Sequence, residues 1–167
     1  ACSILPNEDK RYAASLRLGM TTDTEDITGK VLSEAPSAVT EERFRAVAAE
    51  FVGALMQTPP MYSAVKVGGR PLYDLARKGR EVERPAKEIM VYSLDVTAFD
   101  EEAQTAQIEV FCGKGTYIRT LIADMGRILG CGAVMTALRR TEAGGFRESE
   151  CYTIAEVQEM MANGTLE

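Results

Sequence analysis

Between Gly113 and Gly126 the chain reads GKGTYIRTLIADMG, and this stretch holds the residue best placed to do chemistry. Ile118, Leu121, Ile122, Met125 and, one turn on, Leu129 recur at the spacing of an apolar helical face, while Thr116 stands where an N-cap is wanted. Arg119 falls in the first turn of that helix, so its guanidinium starts beside the apolar stripe rather than opposite it. A charge placed there needs a partner. One reading is that it snorkels or pairs with a structural carboxylate. The other is that its planar fork holds a catalytic carboxylate or a phosphate.

Two further groups of residues have chemical potential. Tyr12 lies in KRYAASLRL, an alternating run that puts Tyr12, Ala14, Leu16 and Leu18 on one strand face. A tyrosine on such a face is by default core, its hydroxyl satisfied locally. Residues 58–87 hold seven Lys and Arg against three acids, and 113–140 hold five against one. Residues 88–112, between these blocks, hold six acids and no Lys or Arg. Two basic blocks in a chain of net charge −6 suit one basic groove on a body that otherwise repels polyanions, although alternating solvated faces give the same composition. In the first block Lys66, Arg70, Arg77, Lys78, Arg80 and Arg84 either solvate a surface helix or meet a phosphate backbone.

Length and composition bound what can position these groups. A chain of 167 residues makes a single domain, 1–167, with a sizeable core of its own. Four cysteines stand far apart without a C-x-x-C pair and histidine is absent, which argues against zinc and for a reducing compartment. No apolar run has the length of a membrane span, and ACSILPNEDK lacks the pattern of a signal peptide. The expectation is a cytoplasmic protein with no metal, cofactor or membrane partner.

After the first strand, TTDTEDITGK has the Thr- and Asp-rich composition of a side-chain-capped loop. A helix capped by Thr40 follows, with Phe44, Val47, Ala48, Phe51 and Leu55 on one face and Pro59-Pro60 as its breaker. MYSAVKV reads as a short strand before the Gly68-Gly69 turn, and RPLYDLARKG as a short helix with Pro71 at its first position. EIMVYSLDVTAF and TAQIEVFC form a hairpin, AVMTALRRT is a further strand, and Thr153 with Glu156 boxes a last helix with Ile154, Val157 and Met161 on one face. The fold class is α+β: a mixed, mainly antiparallel sheet with flanking helices, its central helix entered through Thr116.

The order KRYAASLRLGMTTDTEDITG, QTPPMYSAVKVGGRPLYDLARKGREVERP, CGKGTYIRTLIADMGRILGCGA, LRRTEAGGF closely resembles the bacterial tRNA pseudouridine-55 synthases of the TruB type, over roughly residues 9–160. The TDTEDITG and VGGRPLYDLARKG stretches favour this stand-alone type over relatives that work in RNA-guided particles. The resemblance implies isomerisation of the T-loop uridine of tRNA to pseudouridine without cofactor, metal or protein partner. It makes Tyr12 the tyrosine that stacks on the flipped uracil and helps handle its C5 proton, and Arg119 the partner of the catalytic aspartate. Tyr117 and Leu138 become walls of the uridine pocket, and residues 58–87 the thumb that closes over the T loop. A flipped base needs such an aromatic platform and apolar walls to offset its unstacking.

The family's aspartate belongs to an upstream T-L-D-P motif with a nearby histidine, and these 167 residues contain neither. Asp23 and Asp26 lie in the loop that follows that motif in the family and do not take its place. The expectation is therefore the C-terminal part of a catalytic domain, able to fold but inactive alone. The rival expectation is a non-catalytic module that grips or refolds tRNA.

Overall fold

A computed structural model describes residues 9–79 and 81–164. The alternating run predicted at the start is β1 (Lys10–Leu18), and it lies at the middle of the fold. Two short strands follow, β2 (Met20–Thr22) and β3 (Val31–Glu34), paired with each other. Helix α1 (Glu41–Glu50) leads into β4 (Gly53–Gln57); β5 (Lys66–Val67) and β6 (Arg70–Pro71) form a small hairpin, and α2 (Leu72–Ala76) continues from it. The long hairpin is β7 (Lys87–Asp100) with β8 (Thr105–Cys112), and α3 (Ile118–Leu129) comes next. The described chain closes with β9 (Ala133–Ala143), β10 (Phe146–Arg147) and α4 (Ile154–Asn163).

Six strands form one sheet in the order β10-β9-β1-β8-β7-β4, antiparallel throughout. Because side chains alternate across a strand, the pairing of Ala14 with Ile108 and of Leu16 with Ala106 and Met135 assembles one continuous apolar face. That face is covered by α1 through Phe44 and Val47 and by α3 through Leu121, Ile122 and Met125, all essentially buried. Each such side chain contributes about 1.5–3 kcal/mol by leaving water. Phe44 also stacks on Phe99 of β7, ring centroids 5.1 Å apart, which fixes α1 against the hairpin.

The structure corrects four local expectations. Leu55 is not on α1: the helix stops at Glu50, Gly53 adopts φ +115, and Leu55 lies in edge strand β4 paired with β7. A backbone in that region is open to glycine and strained for other residues, so Gly53 ends the helix before the prolines can. Of MYSAVKV only Lys66–Val67 is strand. Pro71 is the N-cap of α2 rather than its first residue. The capping box of α4 is present, but Ile154 and Met161 are exposed, and only Val157 and Met160 of that helix are partly buried.

One contact sets how closely α3 lies on the sheet. A Cβ added to Gly126 would stand 2.2 Å from the Ala133 nitrogen, and the Gly126 carbonyl accepts the Gly132 N–H at 3.0 Å. We expect Gly126→Ala to destabilise the fold by about 1–3 kcal/mol through overpacking, although helix propensity alone favours Ala by about 1 kcal/mol. Ile154→Ala on the exposed face of α4 should stay within about 0.5 kcal/mol. Urea denaturation of both variants checks the contrast, and a stabilised Gly126→Ala would contradict the packing described.

Candidate functional site

Helix α3 begins at Ile118, and its N-cap is Tyr117, which makes no side-chain cap. The predicted cap, Thr116, instead donates its hydroxyl to the Gly113 carbonyl at 3.0 Å, one residue too early to reach the helix. Gln57 supplies the connection from the end of β4. Its amide oxygen accepts the Tyr117 N–H at 2.8 Å, and its amide nitrogen donates to the Tyr117 carbonyl at 3.1 Å. Gln57 is buried, so both its polar atoms are matched where water does not reach.

Arg119, half-buried in the first turn, donates through Nη2 to the backbone carbonyl of Tyr62. On the same stretch of chain, just before Tyr62, Arg84 donates through Nε to the Pro59 carbonyl at 2.5 Å, and through Nη1 to the Val82 carbonyl at 3.2 Å. The carboxylate in the field of both guanidiniums is Glu25, which the sequence did not single out. Its Oε2 accepts the Thr120 hydroxyl at 2.5 Å. Burial lifts the Glu25 carboxyl above the usual range; the Thr120 bond and then Arg119 pull it down, Asp124 pushes it up, and Arg84 pulls it down.

The loop that carries Glu25 is capped by its own side chains, as its composition predicts. Asp26 Oδ1 accepts the Thr28 N–H and hydroxyl at 2.9 and 2.7 Å, and Asp23 accepts the Lys30 N–H at 2.8 Å. Its docking was not predictable: Ile27 N–H donates to the Met135 carbonyl at 2.9 Å, and Met135 N–H to the Glu25 carbonyl at 3.3 Å. The only sequence signal for Glu25 is its place in a short acidic loop, shared with Asp23 and Asp26.

The second group lies on the sheet. Tyr12 pairs in register with Arg140 on one side and Val110 on the other, and Ala14 pairs with Leu138. Tyr12, Leu138 and Arg140 therefore share the face that is apolar further along β1, at the end where it opens to solvent. Leu138 is 45% exposed there. Burial, with a smaller push from Cys112, raises the Tyr12 phenol above its usual value, while the charge and hydrogen bond of Arg140 act the other way. Among the described residues no hydrogen bond or ion pair joins Tyr12 to Arg119.

Tyr117 is half-buried at the start of α3. In the segment 58–87, Lys66, Arg70, Arg77 and Lys78 are exposed, and Arg77 lies over the Tyr73 ring at 5.5 Å. Arg84 differs from these: its bonds to backbone carbonyls turn it inward. Arg80 lies outside the described residues. The segment has an anchor in Leu72, fully buried, whose N–H donates to Val65 O at 2.8 Å while Tyr73 N–H donates to Ser63 O at 3.1 Å. No helix among the described residues is long and apolar enough to cross a membrane.

Comparison with known proteins places this geometry. Residues 1–118 match the TruB family pseudouridylate synthase (N terminal domain), and residues 119–167 the tRNA pseudouridylate synthase B C-terminal domain. The boundary between the two matches falls inside the first turn of α3, although β9 from the second pairs with β1 from the first. The chain is 46% identical over 158 residues to the tRNA pseudouridine synthase B of Chromobacterium violaceum, covering 95% of this chain and 51% of that protein. It is 43% identical over 160 residues to that of Listeria welshimeri, covering 93% and 53%. The chain thus spans about half the length of these relatives. Among solved structures it is similar to a Cbf5-Nop10-Gar1 complex, with TM-score 0.69 and 28% identity over 98% of this chain and 40% of the other.

Two outcomes follow from the site's geometry. Gln57→Ala should cost about 1–3 kcal/mol in urea denaturation, because it strands the Tyr117 N–H, while the Tyr117 carbonyl keeps the Leu121 N–H at 3.0 Å; Thr116→Ala should cost less, the reverse of the order expected if Thr116 were the cap. Glu25 has the other consequence. Its folded pKa is raised, so its contribution favours the folded state at acid pH and is lost as pH rises from the ordinary Glu range through the raised value. Comparing urea midpoints of wild type and Glu25→Gln across that window should show the component in wild type alone.

Proposed function

The chain belongs to the TruB family of pseudouridylate synthases, whose N-terminal domain it matches over residues 1–118, and on that premise we propose that it serves the conversion of the T-loop uridine of tRNA to pseudouridine in the cytoplasm. In that reaction the N1–C1′ bond of the uridine breaks, the uracil turns, C1′ bonds to C5, and the proton leaves C5 while N1 gains one. The observation that carries the reading is the Tyr12–Leu138–Arg140 group on the open end of the β1 face.

Each member of that group has a task that its chemistry permits. The Tyr12 ring is a stacking platform for an extruded base, and Leu138 an apolar wall beside it, so together they return part of the unstacking cost of a few kcal/mol. Arg140 keeps a positive charge against the phenol and favours its ionised form, which is the form that accepts a proton. Arg119 at the head of α3 offers a fork to a carboxylate or phosphate. The aspartate nucleophile of the family motif is not among these 167 residues, so their share is to hold and orient the substrate and its charge. Lys66, Arg70, Arg77 and Lys78 extend the grip along the T arm, and Arg84 acts at the base of the thumb by bonding its backbone.

The test uses unmodified tRNA with tritium at uracil C5. We expect the 167-residue chain to bind this tRNA and to release tritium at the background rate; release well above background would show that another group replaces the aspartate. Replacing Arg77 and Lys78 by Ala should leave thermal stability nearly unchanged, since exposed charges contribute at most about 1 kcal/mol each. The same double variant should lower the slope of log K against log salt by about 1 per lost contact. An unchanged slope would remove these residues from the interface.

A further inference from the structure

Two surfaces of the molecule set an aromatic ring beside an arginine, and they differ in whether the ring is already occupied. On the outer sheet face Arg11 lies over the Phe111 ring at 4.1 Å, and Tyr92 packs on the same ring with centroids 4.8 Å apart. The outer members are tied down as well: Glu142 takes the Arg11 guanidinium at 3.2 Å, and the Tyr92 hydroxyl donates to Asp9 at 3.2 Å. On the thumb, Arg77 lies over the Tyr73 ring at 5.5 Å, near the outer limit of about 6 Å for such contacts. Tyr73 is 37% exposed, and among the described residues its hydroxyl makes no hydrogen bond.

Local structure fixes where this open ring stands. Tyr73 N–H donates to the Ser63 carbonyl at 3.1 Å, and the Tyr73 carbonyl accepts the Arg77 N–H at 3.0 Å. On α2 Leu72 is fully buried and Leu75 and Ala76 are half-buried, so Tyr73 falls on the outward side. Arg77, four residues on, shares that side. The same segment carries Lys66, Arg70 and Lys78, exposed cations with no carboxylate partner among the described residues. Tyrosine is a weaker helix former than leucine, lysine or glutamine, so helix formation does not explain the choice. What the ring adds is a flat π face set among unpaired positive charges, which is the chemistry that binds unpaired nucleotides.

We propose that Tyr73 is a base-stacking contact of the thumb, taking an unpaired nucleobase of the RNA while Lys66, Arg70 and Lys78 hold the flanking phosphates. In the free chain the planar Arg77 guanidinium occupies the place of the base; on binding it gives way, and its charge joins the phosphate contacts. Every base has a π face, so Tyr73 selects an unpaired nucleotide over a duplex rather than one sequence over another. The inference rests on the reading that the thumb grips the T arm of tRNA, and it adds the feature by which the thumb tells loop from stem.

The chain contains no tryptophan, so Tyr73→Trp places a single indole at the site and keeps a stacking surface there. The position is exposed, and exchanges at it leave the fold intact. Titrated with unmodified tRNA, this variant should lose most of its indole emission along the binding curve, because a stacked base quenches indole, and bound RNA should shield the indole from acrylamide. A T-arm stem–loop should reproduce the quench, whereas a fully paired duplex of the same stem should bind through charge without it. No quench at saturating tRNA, or an equal quench by the duplex, overturns the proposal and leaves the phosphate contacts of the thumb standing. In a second arm, Tyr73→Leu should weaken tRNA binding about tenfold and Tyr73→Phe less than about twofold, both with the slope of log K against log salt unchanged. A lower slope in Tyr73→Leu would show that the ring only arranges the cations, which overturns stacking. An unchanged slope in the Arg77 and Lys78 double variant would take the thumb out of the interface, and the reading would fall together with the proposal.

Discussion

The side-chain amide of Gln57 holds both backbone polar groups of Tyr117, and the site geometry depends on that pair of bonds. A helix N-terminus leaves amide groups without intrahelical partners, and α3 has no side-chain cap of its own. By spanning 60 residues of sequence, Gln57 ties the end of edge strand β4 to the head of α3. The chain beyond Gln57 is then brought to the place where Arg119 can reach the Tyr62 carbonyl and Arg84 the Pro59 carbonyl. A satisfied pair of buried bonds contributes only modestly to net stability, but a broken pair is costly, so the junction is fixed in one arrangement.

The same economy separates the core from the site. Along β1, the residues toward Leu18 are sealed by α1 and α3, and there the sheet face is uniformly apolar. Toward Lys10 the same face stays buried on β8, at Val110 and Cys112, but opens on the β9 side, where the residues become Tyr12, Leu138 and Arg140. A continuous strand thus connects a rigid interior to an open surface, and the rigidity of one positions the other. Glu25 departs from the most stable choice in the opposite sense, as a carboxylate placed where burial disfavours its charge. Departures of this kind are expected where a protein's surface has a task besides folding.

What could be read from sequence was what depends on neighbours along the chain. The alternation of β1, the Thr40-capped α1, the β7–β8 hairpin and the Thr153–Glu156 box are encoded in periodicity and in capping residues a few positions apart, and the structure has them. The motif order also identified the family, because long motifs retain residue types that a fold and a reaction together require. Tertiary structure decided what joins distant segments. Thr116 has the right residue type for a cap but sits one residue too early, and Gln57 closes that junction from another strand. Leu55 continues the α1 spacing, yet Gly53 has already turned the chain into the sheet edge. Glu25 meets Thr120 across 95 residues, and no local pattern distinguishes it from the acids beside it. Local sequence sets which face of an element is apolar; which faces meet, and which buried charge finds which partner, is fixed only when the whole sheet closes on its helices.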